Sequence, residues 1–90
     1  MRRAGKKRIA QALLDYRIWR LKVDARLESI PPEGAKVARE WADDVYERIK
    51  AGDLGFCTSA LSRSVVRVIE DFESGFYVGV TDNGGFVVRS

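Results

Sequence analysis

Histidine is absent from this chain of 90 residues, and cysteine occurs only once, as Cys57. Without histidine, the chain lacks the commonest general base at neutral pH and the commonest zinc ligand. One cysteine can form neither an internal disulfide nor a structural zinc site. The fold must therefore be held by packing, and we expect Cys57 to be a small buried residue in a turn.

Long apolar runs are missing as well. The sequence has no stretch of about eighteen apolar residues, which a membrane-spanning helix would need. No signal-peptide core follows the basic start. These absences predict a cytoplasmic protein without a membrane partner.

No grouping of side chains is typical of an active site. The serines have no histidine to activate them. The acids Asp43, Asp44 and Glu47 share one predicted helix with lysines and arginines four residues away, which indicates a solvated face. Gly84 and Gly85 follow a turn rather than open a helix, so they form no phosphate cradle. We expect no enzyme, no metal site and no other cofactor.

The segment 8–28 carries two apolar stripes on opposite faces of one predicted helix. Residues three and four positions apart lie on the same face of a helix. Since a helix on the outside of a small monomer needs one buried face, the second stripe predicts a central helix or a helix that docks on another chain. We expect the first stripe to join the core and the second to contact a partner. The first stripe comprises Ile9, Ala12, Leu13, Tyr16, Trp19, Val23 and Leu27, and the second comprises Leu14, Ile18, Leu21 and Ala25.

Composition also favours association. Hydrophobic residues make up 46% of the chain, yet 90 residues form one domain, 1–90, whose core is small. The apolar surplus predicts a homodimer or a complex with a larger protein.

Positive charge is concentrated at one end of the chain. Of 16 Lys and Arg residues, nine lie in residues 1–30, together with three of the 13 acids, although the net charge is only +3. We expect residues 1–7 to form a flexible basic arm. On contact with a polyanion such an arm releases condensed counterions, which favours binding. A solubilising terminus is the alternative. The predicted nucleic-acid contacts are Arg2, Arg3, Lys6, Lys7, Arg8 and Arg17, with further charge from Arg20, Lys22 and Arg26.

The sequence predicts an N-terminal helical hairpin. The first helix should begin between Ala4 and Lys7 and run to about Ser29, because Pro31 and Pro32 end it. The second should run from Pro32 or Ala35 to Ala51. Trp19 and Trp41, which lie on the main apolar stripes of these two helices, are expected to pack together.

The second half of the chain predicts a short third helix and a β-hairpin, which makes the fold α+β. Residues 61–72 fit helical spacing, with an N-cap at Thr58, Ser59 or Ser62, although their β-branched residues would also suit a strand. Residues 75–81 and 86–89 alternate as strands around a turn at 82–85 that tolerates positive φ.

The stretch 61–67, Leu-Ser-Arg-Ser-Val-Val-Arg, followed by Gly75 and the hairpin, resembles bacterial winged-helix regulators. The resemblance implies a third helix in the major groove and a hairpin over the DNA backbone. Arg63 and Arg67 would then reach guanine edges or phosphates, and Ser59, Ser62 and Ser64 would share the exposed side of the helix. In the alternative interpretation, both arginines are surface charges paired with Glu70 and Asp71.

Two hypotheses about function follow, and the concentration of positive charge in residues 1–30 favours the first. In the first, the chain is a small basic DNA- or RNA-binding protein, regulatory or accessory and dimeric, with DNA favoured over RNA. In the second, it is a protein-interaction module, such as a small inhibitor or an accessory subunit, that docks through the second stripe of the first helix.

Overall fold

Three helices precede a two-stranded antiparallel hairpin in the computed structural model, which describes residues 4–90. This order confirms the α+β class, the helical hairpin and the β-hairpin, and it shows that residues 61–72 are helical. The elements are α1 (Lys6–Leu27), α2 (Pro32–Lys50), α3 (Phe56–Glu73), β1 (Tyr77–Val80) and β2 (Phe86–Val88).

Two prolines separate α1 from α2. Pro31, with φ −57° and ψ 144°, is the N-cap of α2, and Pro32 is its first residue, where a missing amide proton costs nothing. The chain leaves α1 two residues before the expected end at Ser29. There the Ser29 amide and hydroxyl both donate to the carbonyl oxygen of Arg26.

α2 lies between α1 and α3 and packs against both. The first part of its inner face consists of small residues, from Gly34 to Ala42, so the neighbouring helices approach closely there. A Cβ on buried Gly34 would lie 2.6 Å from the ring of Phe72. The buried core comprises Tyr16, Val23, Leu27, Ile30, Ala35, Ala38, Ala42, Val45, Ile49, Val65, Val68, Ile69 and Phe72.

The start of α3 differs from the prediction. Its N-cap is Gly55, which makes no side-chain cap hydrogen bond, so the expected caps Thr58, Ser59 and Ser62 are wrong. Thr58 lies inside the helix, and its hydroxyl donates to the carbonyl of Asp53. The prediction for Cys57 is also wrong, because this residue is exposed within the helix and not buried in a turn.

The hairpin closes the core with aromatic rings. Tyr77 stacks on Phe86 at 4.6 Å between centroids, and both rings meet the edge of Phe72 at 5.5 and 5.9 Å. Trp41 packs edge-on against Phe86, whereas Trp19 tilts against Tyr16. The predicted packing of Trp19 on Trp41 is therefore wrong, because α2 directs Trp41 to the hairpin.

Backbone geometry sets the ends of this hairpin. Gly75 and Gly84 both have φ +82°, a conformation that favours glycine, and they lie before β1 and in the turn. Tyr77 pairs with Val88 and Val80 pairs with Phe86, with a register shift between Tyr77 and Gly79.

The described chain is elongated and thin. Its extents are 46 × 25 × 17 Å, and its radius of gyration is 14.2 Å. A compact chain of this length would have a radius of gyration of about 12 Å. Much of each helix therefore lies at the surface, including the face of α1 that points away from α2.

Candidate interaction surfaces

Four apolar residues of α1 face solvent, and we call them the α1 stripe. Leu14, Ile18 and Leu21 are 54%, 59% and 72% exposed, and Ala25 is exposed as well. These are the residues that the sequence singled out as a partner surface. The core of the molecule lies on the other side of α1, where Tyr16, Val23 and Leu27 are buried.

Charged side chains border the α1 stripe on both sides. At 100° per residue, Arg17 and Asp24 lie on one border, and Asp15 and Lys22 lie on the other. All four are exposed, and within residues 4–90 neither Arg17 nor Lys22 joins an ion pair. The apolar centre with a polar rim is the composition of a protein–protein contact.

The first turn of α1 carries a second candidate surface, which we call the basic cluster: Lys6, Lys7 and Arg8. All three are exposed, and in the described part of the chain none is in an ion pair. Lys6 and Lys7 belong to the helix rather than to a flexible arm. The Ala4 amide just before it donates to the carbonyl oxygen of Gly52, at 3.0 Å.

Arg2 and Arg3, which the sequence also assigned to nucleic-acid contact, lie outside the described residues.

The basic cluster is placed unfavourably for helix stability. The positive end of the helix dipole lies at the N-terminus, where cations are destabilising and acids are stabilising. α2 follows this rule, with Glu33 in its first turn and Arg48 and Lys50 in its last, whereas the first turn of α1 contains no acid.

Two other arginines of α1 serve the fold instead. Arg20 donates to Asp43 on α2 at 2.7 Å, to Asp24 at 2.9 Å and to the Tyr16 hydroxyl at 2.9 Å. Its partial burial lowers the pKa of Arg20, but the hydrogen bonds to Asp43, Asp24 and Tyr16 outweigh that effect and raise it. The Tyr16 hydroxyl in turn donates to the Ala42 carbonyl at 3.0 Å. Arg20 is therefore committed to joining α1 and α2.

Arg26 joins α1 to the end of α3. It contacts both carboxylate oxygens of Glu73, at 2.6 and 3.2 Å. The hydrogen bond from Arg26 lowers the pKa of the Glu73 carboxyl below its ordinary value. Sequence reasoning missed this pair, because 47 residues separate its members and no local pattern signals it.

The structure divides the two arginines predicted for DNA contact on α3. Arg63 and Arg67 are both exposed, and Arg67 also contacts Asp71, with its Nε 3.3 and 3.4 Å from the two carboxylate oxygens. Both line a groove of about 420 Å³ beside Trp19, which also contains the acid Glu70. The surface ion pair of the alternative interpretation is therefore present at Arg67, and its predicted contact with DNA stays a prediction.

The predicted serine face of α3 is only partly exposed. Ser59 and Ser64 are exposed, but Ser62 is half-buried, and its hydroxyl donates to the Thr58 carbonyl at 3.0 Å. The Ser64 hydroxyl donates to the Ala60 carbonyl at 3.0 Å. Arg63 and Arg67 lie on α3 and the basic cluster lies on the first turn of α1, so the predicted contacts belong to two different helices.

Phe56, at the first position of α3, is 77% exposed and was missed as a surface residue. The nearby sequence holds no apolar periodicity that would have singled it out. It does not continue the α1 stripe, because it belongs to another helix.

No family model, curated protein or solved structure matches this chain. The resemblance to winged-helix regulators therefore rests on the order of elements and on the stretch 61–67. None of the helices within residues 4–90 combines the length and apolar character needed to cross a membrane.

Proposed function

We propose that this chain is a small protein-interaction module that docks on another protein chain through the α1 stripe. One observation carries the proposal: Leu14, Ile18 and Leu21 are more than half exposed on consecutive turns of one helix face. Single exposed leucines are ordinary, but a row of them framed by charges is typical of a surface that another protein covers.

The exposed residues of the α1 stripe contribute little to the stability of the free chain, so a purely structural role does not account for them. Burying a leucine or isoleucine side chain stabilises by about 1.5–3 kcal/mol, and the free chain gains little of this at these three positions. The stripe can therefore be made polar without loss of the core formed by residues such as Tyr16 and Val23.

The experiment is affinity purification of the tagged chain from cells that also express an untagged copy, with identification of all co-purifying proteins. The test variant is Ile18→Gln with Leu21→Gln. Glutamine leaves the net charge of the protein unchanged and has a high helix propensity, so α1 is preserved. The control is Val78→Thr with Val88→Thr, which makes two residues polar on the hairpin that are 52% and 51% exposed. We expect the test variant to lose its partner and the control to keep it. The proposal fails if the set of co-purifying proteins is the same for both variants.

Nucleic-acid binding, with DNA favoured over RNA, is the second candidate function. It is favoured by the exposure of Lys6, Lys7 and Arg8, which form no ion pair within residues 4–90 at a helix end where cations are destabilising. Arg2 and Arg3 would add to this charge. In both proposals we place the protein in the cytoplasm, and the free, exposed thiol of Cys57 supports a reducing compartment.

A further inference from the structure

We infer that the partner of the α1 stripe is a second copy of this chain, with the two α1 helices antiparallel. The inference rests on the proposed function, because it names the occupant of the same surface. It is carried by the order of charges along the borders of the stripe, which is self-complementary in one helix direction only.

The apolar residues set the register of the pair. In heptad notation, Ile18 and Ala25 occupy a positions, and Leu14 and Leu21 occupy d positions. In an antiparallel pair each a residue faces a d residue of the other helix. Ile18 then faces Leu21 of the second copy, and Leu14 faces Ala25, so that large and small side chains alternate. The two-fold axis passes between Ile18 and Leu21.

The bordering charges agree with this register. In antiparallel pairs, e positions face e positions and g positions face g positions. On the g border, Arg17 meets Asp24 of the second copy. On the e border, Asp15 meets Lys22. Two-fold symmetry repeats each contact, which gives four pairs of opposite charge and none of like charge.

A parallel pair would bring like charges together. Its borders match each g position with the e position five residues further along the other helix. Arg17 would then face Lys22 of the second copy, twice in each dimer. It would also place both basic clusters at the same end. The charge pattern therefore favours the antiparallel direction over the parallel one.

The area of the α1 stripe sets the expected strength. The stripe spans three turns, or about 17 Å of helix. Such a contact is small for a specific interface, so we expect a weak dimer, with a dissociation constant in the micromolar range or above. Arg17 and Lys22 are free to pair in the described structure, and Asp24, which accepts a hydrogen bond from Arg20, is half-exposed.

The test uses the Asp15–Lys22 contact, because Asp24 is in an ion pair with Arg20, whereas Asp15 accepts a hydrogen bond from the neutral Gln11 at 3.2 Å. The pure full-length protein is studied by sedimentation equilibrium over a concentration series at low salt, where exposed charges are least screened. We expect Asp15→Lys and Lys22→Asp each to weaken the dimer about ten-fold, since each turns two attractions into repulsions. The double exchange Asp15→Lys with Lys22→Asp should restore the wild-type constant. Lys36→Asp, at an exposed site on α2, controls for net charge.

Three results would overturn the inference. A monomeric wild type at all concentrations would exclude the second copy. Strengthening by Lys22→Asp would indicate a parallel pair, in which that change faces Arg17. Failure of the double exchange to restore the dimer would show that these residues do not meet. The wild type could be monomeric while Ile18→Gln with Leu21→Gln still removes a cellular partner. In that case the proposed function stands and only this inference fails.

Discussion

At the scale of single residues, Gly34 fixes how closely α2 and α3 approach. A Cβ at this position would lie 2.6 and 2.7 Å from ring atoms of Phe72, which is only 5% exposed. The ring cannot swing away, because Tyr77 and Phe86 pack against it. The missing side chain is therefore a packing requirement rather than a source of flexibility.

Gly34→Ala should lower the free energy of unfolding by about 1–2 kcal/mol. Overpacking costs about 1–3 kcal/mol, and alanine returns up to about 1 kcal/mol of helix propensity. Urea denaturation followed by circular dichroism measures the difference. Gly5→Ala, at the N-cap of α1, is the control for added bulk, because nothing lies within 4 Å of a Cβ there, and we expect it to cost only about 0.5 kcal/mol through the weaker cap. Equal effects at both sites would show that Phe72 yields.

The Arg26–Glu73 pair should give stability a pH dependence in acid. Arg26 holds the pKa of Glu73 below its ordinary value, so the pair contributes above that ordinary value and the contribution is lost as pH falls through the lowered pKa. Both side chains are about one-third exposed, which limits the contribution to about 1 kcal/mol. Wild type and Glu73→Gln should therefore differ in unfolding free energy at pH 7 and converge near pH 3. A difference that does not change with pH would mean that the charge of Glu73 contributes nothing.

At the scale of elements, α1 begins with three cations at the end of the helix dipole that repels them. α3 has the reverse arrangement, with acids in its last turn, but there Arg67 pairs with Asp71 and Arg26 pairs with Glu73. No described residue offers the basic cluster such a partner. The cluster therefore costs stability in the free chain, and an anion bound beside it would offset that cost.

Lys6→Glu with Arg8→Glu should stabilise the protein and weaken nucleic-acid binding together. Each reversal places an acid in the first turn of α1, worth about 0.3–1 kcal/mol. Thermal unfolding measures the gain, and co-sedimentation with a random DNA duplex at low salt measures the loss. If retention on DNA is unchanged, the basic cluster is not the contact. Arg39→Glu, an exposed change on α2, tests whether any charge reversal suffices.

Periodicity explains which elements were predicted well. The stripes of α1 and α2 repeat over three or more turns, and Pro31 and Pro32 leave only one place for the break, so both helices were located to within about two residues. The exposed stripe was likewise evident from spacing, because Leu14, Ile18 and Leu21 cannot share a face with Tyr16 and Val23. Whether that face meets another chain is not contained in spacing.

The start of α3 lacked any such signal. Phe56 and Cys57 face solvent, and Gly55 caps without a side chain, so neither apolar period nor capping residue marks the first turn. Asp53 positions it instead, accepting the Gly55 amide at 3.2 Å through its side chain and the Thr58 hydroxyl through its carbonyl. An Asp two residues before a Gly is a local turn signal that could have placed this boundary. The pairing of Trp41 with Phe86 depends on the hairpin folding back, which no local pattern encodes.

At the scale of the whole molecule, the two proposals lead to one geometry. If the two-fold axis passes between Ile18 and Leu21, the Lys7 residues of the two copies lie about 37 Å apart along the helix pair, at 1.5 Å per residue. That distance is close to the 34–36 Å of one turn of B-DNA. A dimer would therefore present its two basic clusters at a spacing that one duplex can meet twice.

This spacing predicts that binding to DNA depends on duplex length and on the α1 stripe together. A duplex of 24 base pairs can contact both clusters of one dimer, whereas 8 base pairs span only about 27 Å and can contact one. Because the second contact is intramolecular, the wild type should bind the longer duplex more tightly than the shorter one. The difference in affinity should exceed what the larger number of binding sites on the longer duplex explains. Fluorescence anisotropy at low salt measures both affinities, at protein concentrations above the dimer constant. Ile18→Gln with Leu21→Gln keeps every cation but should be monomeric. It therefore measures how much DNA affinity increases with duplex length when only one cluster can bind. An equal preference for the longer duplex in this variant and in the wild type would show that the clusters act singly, even if each binds DNA.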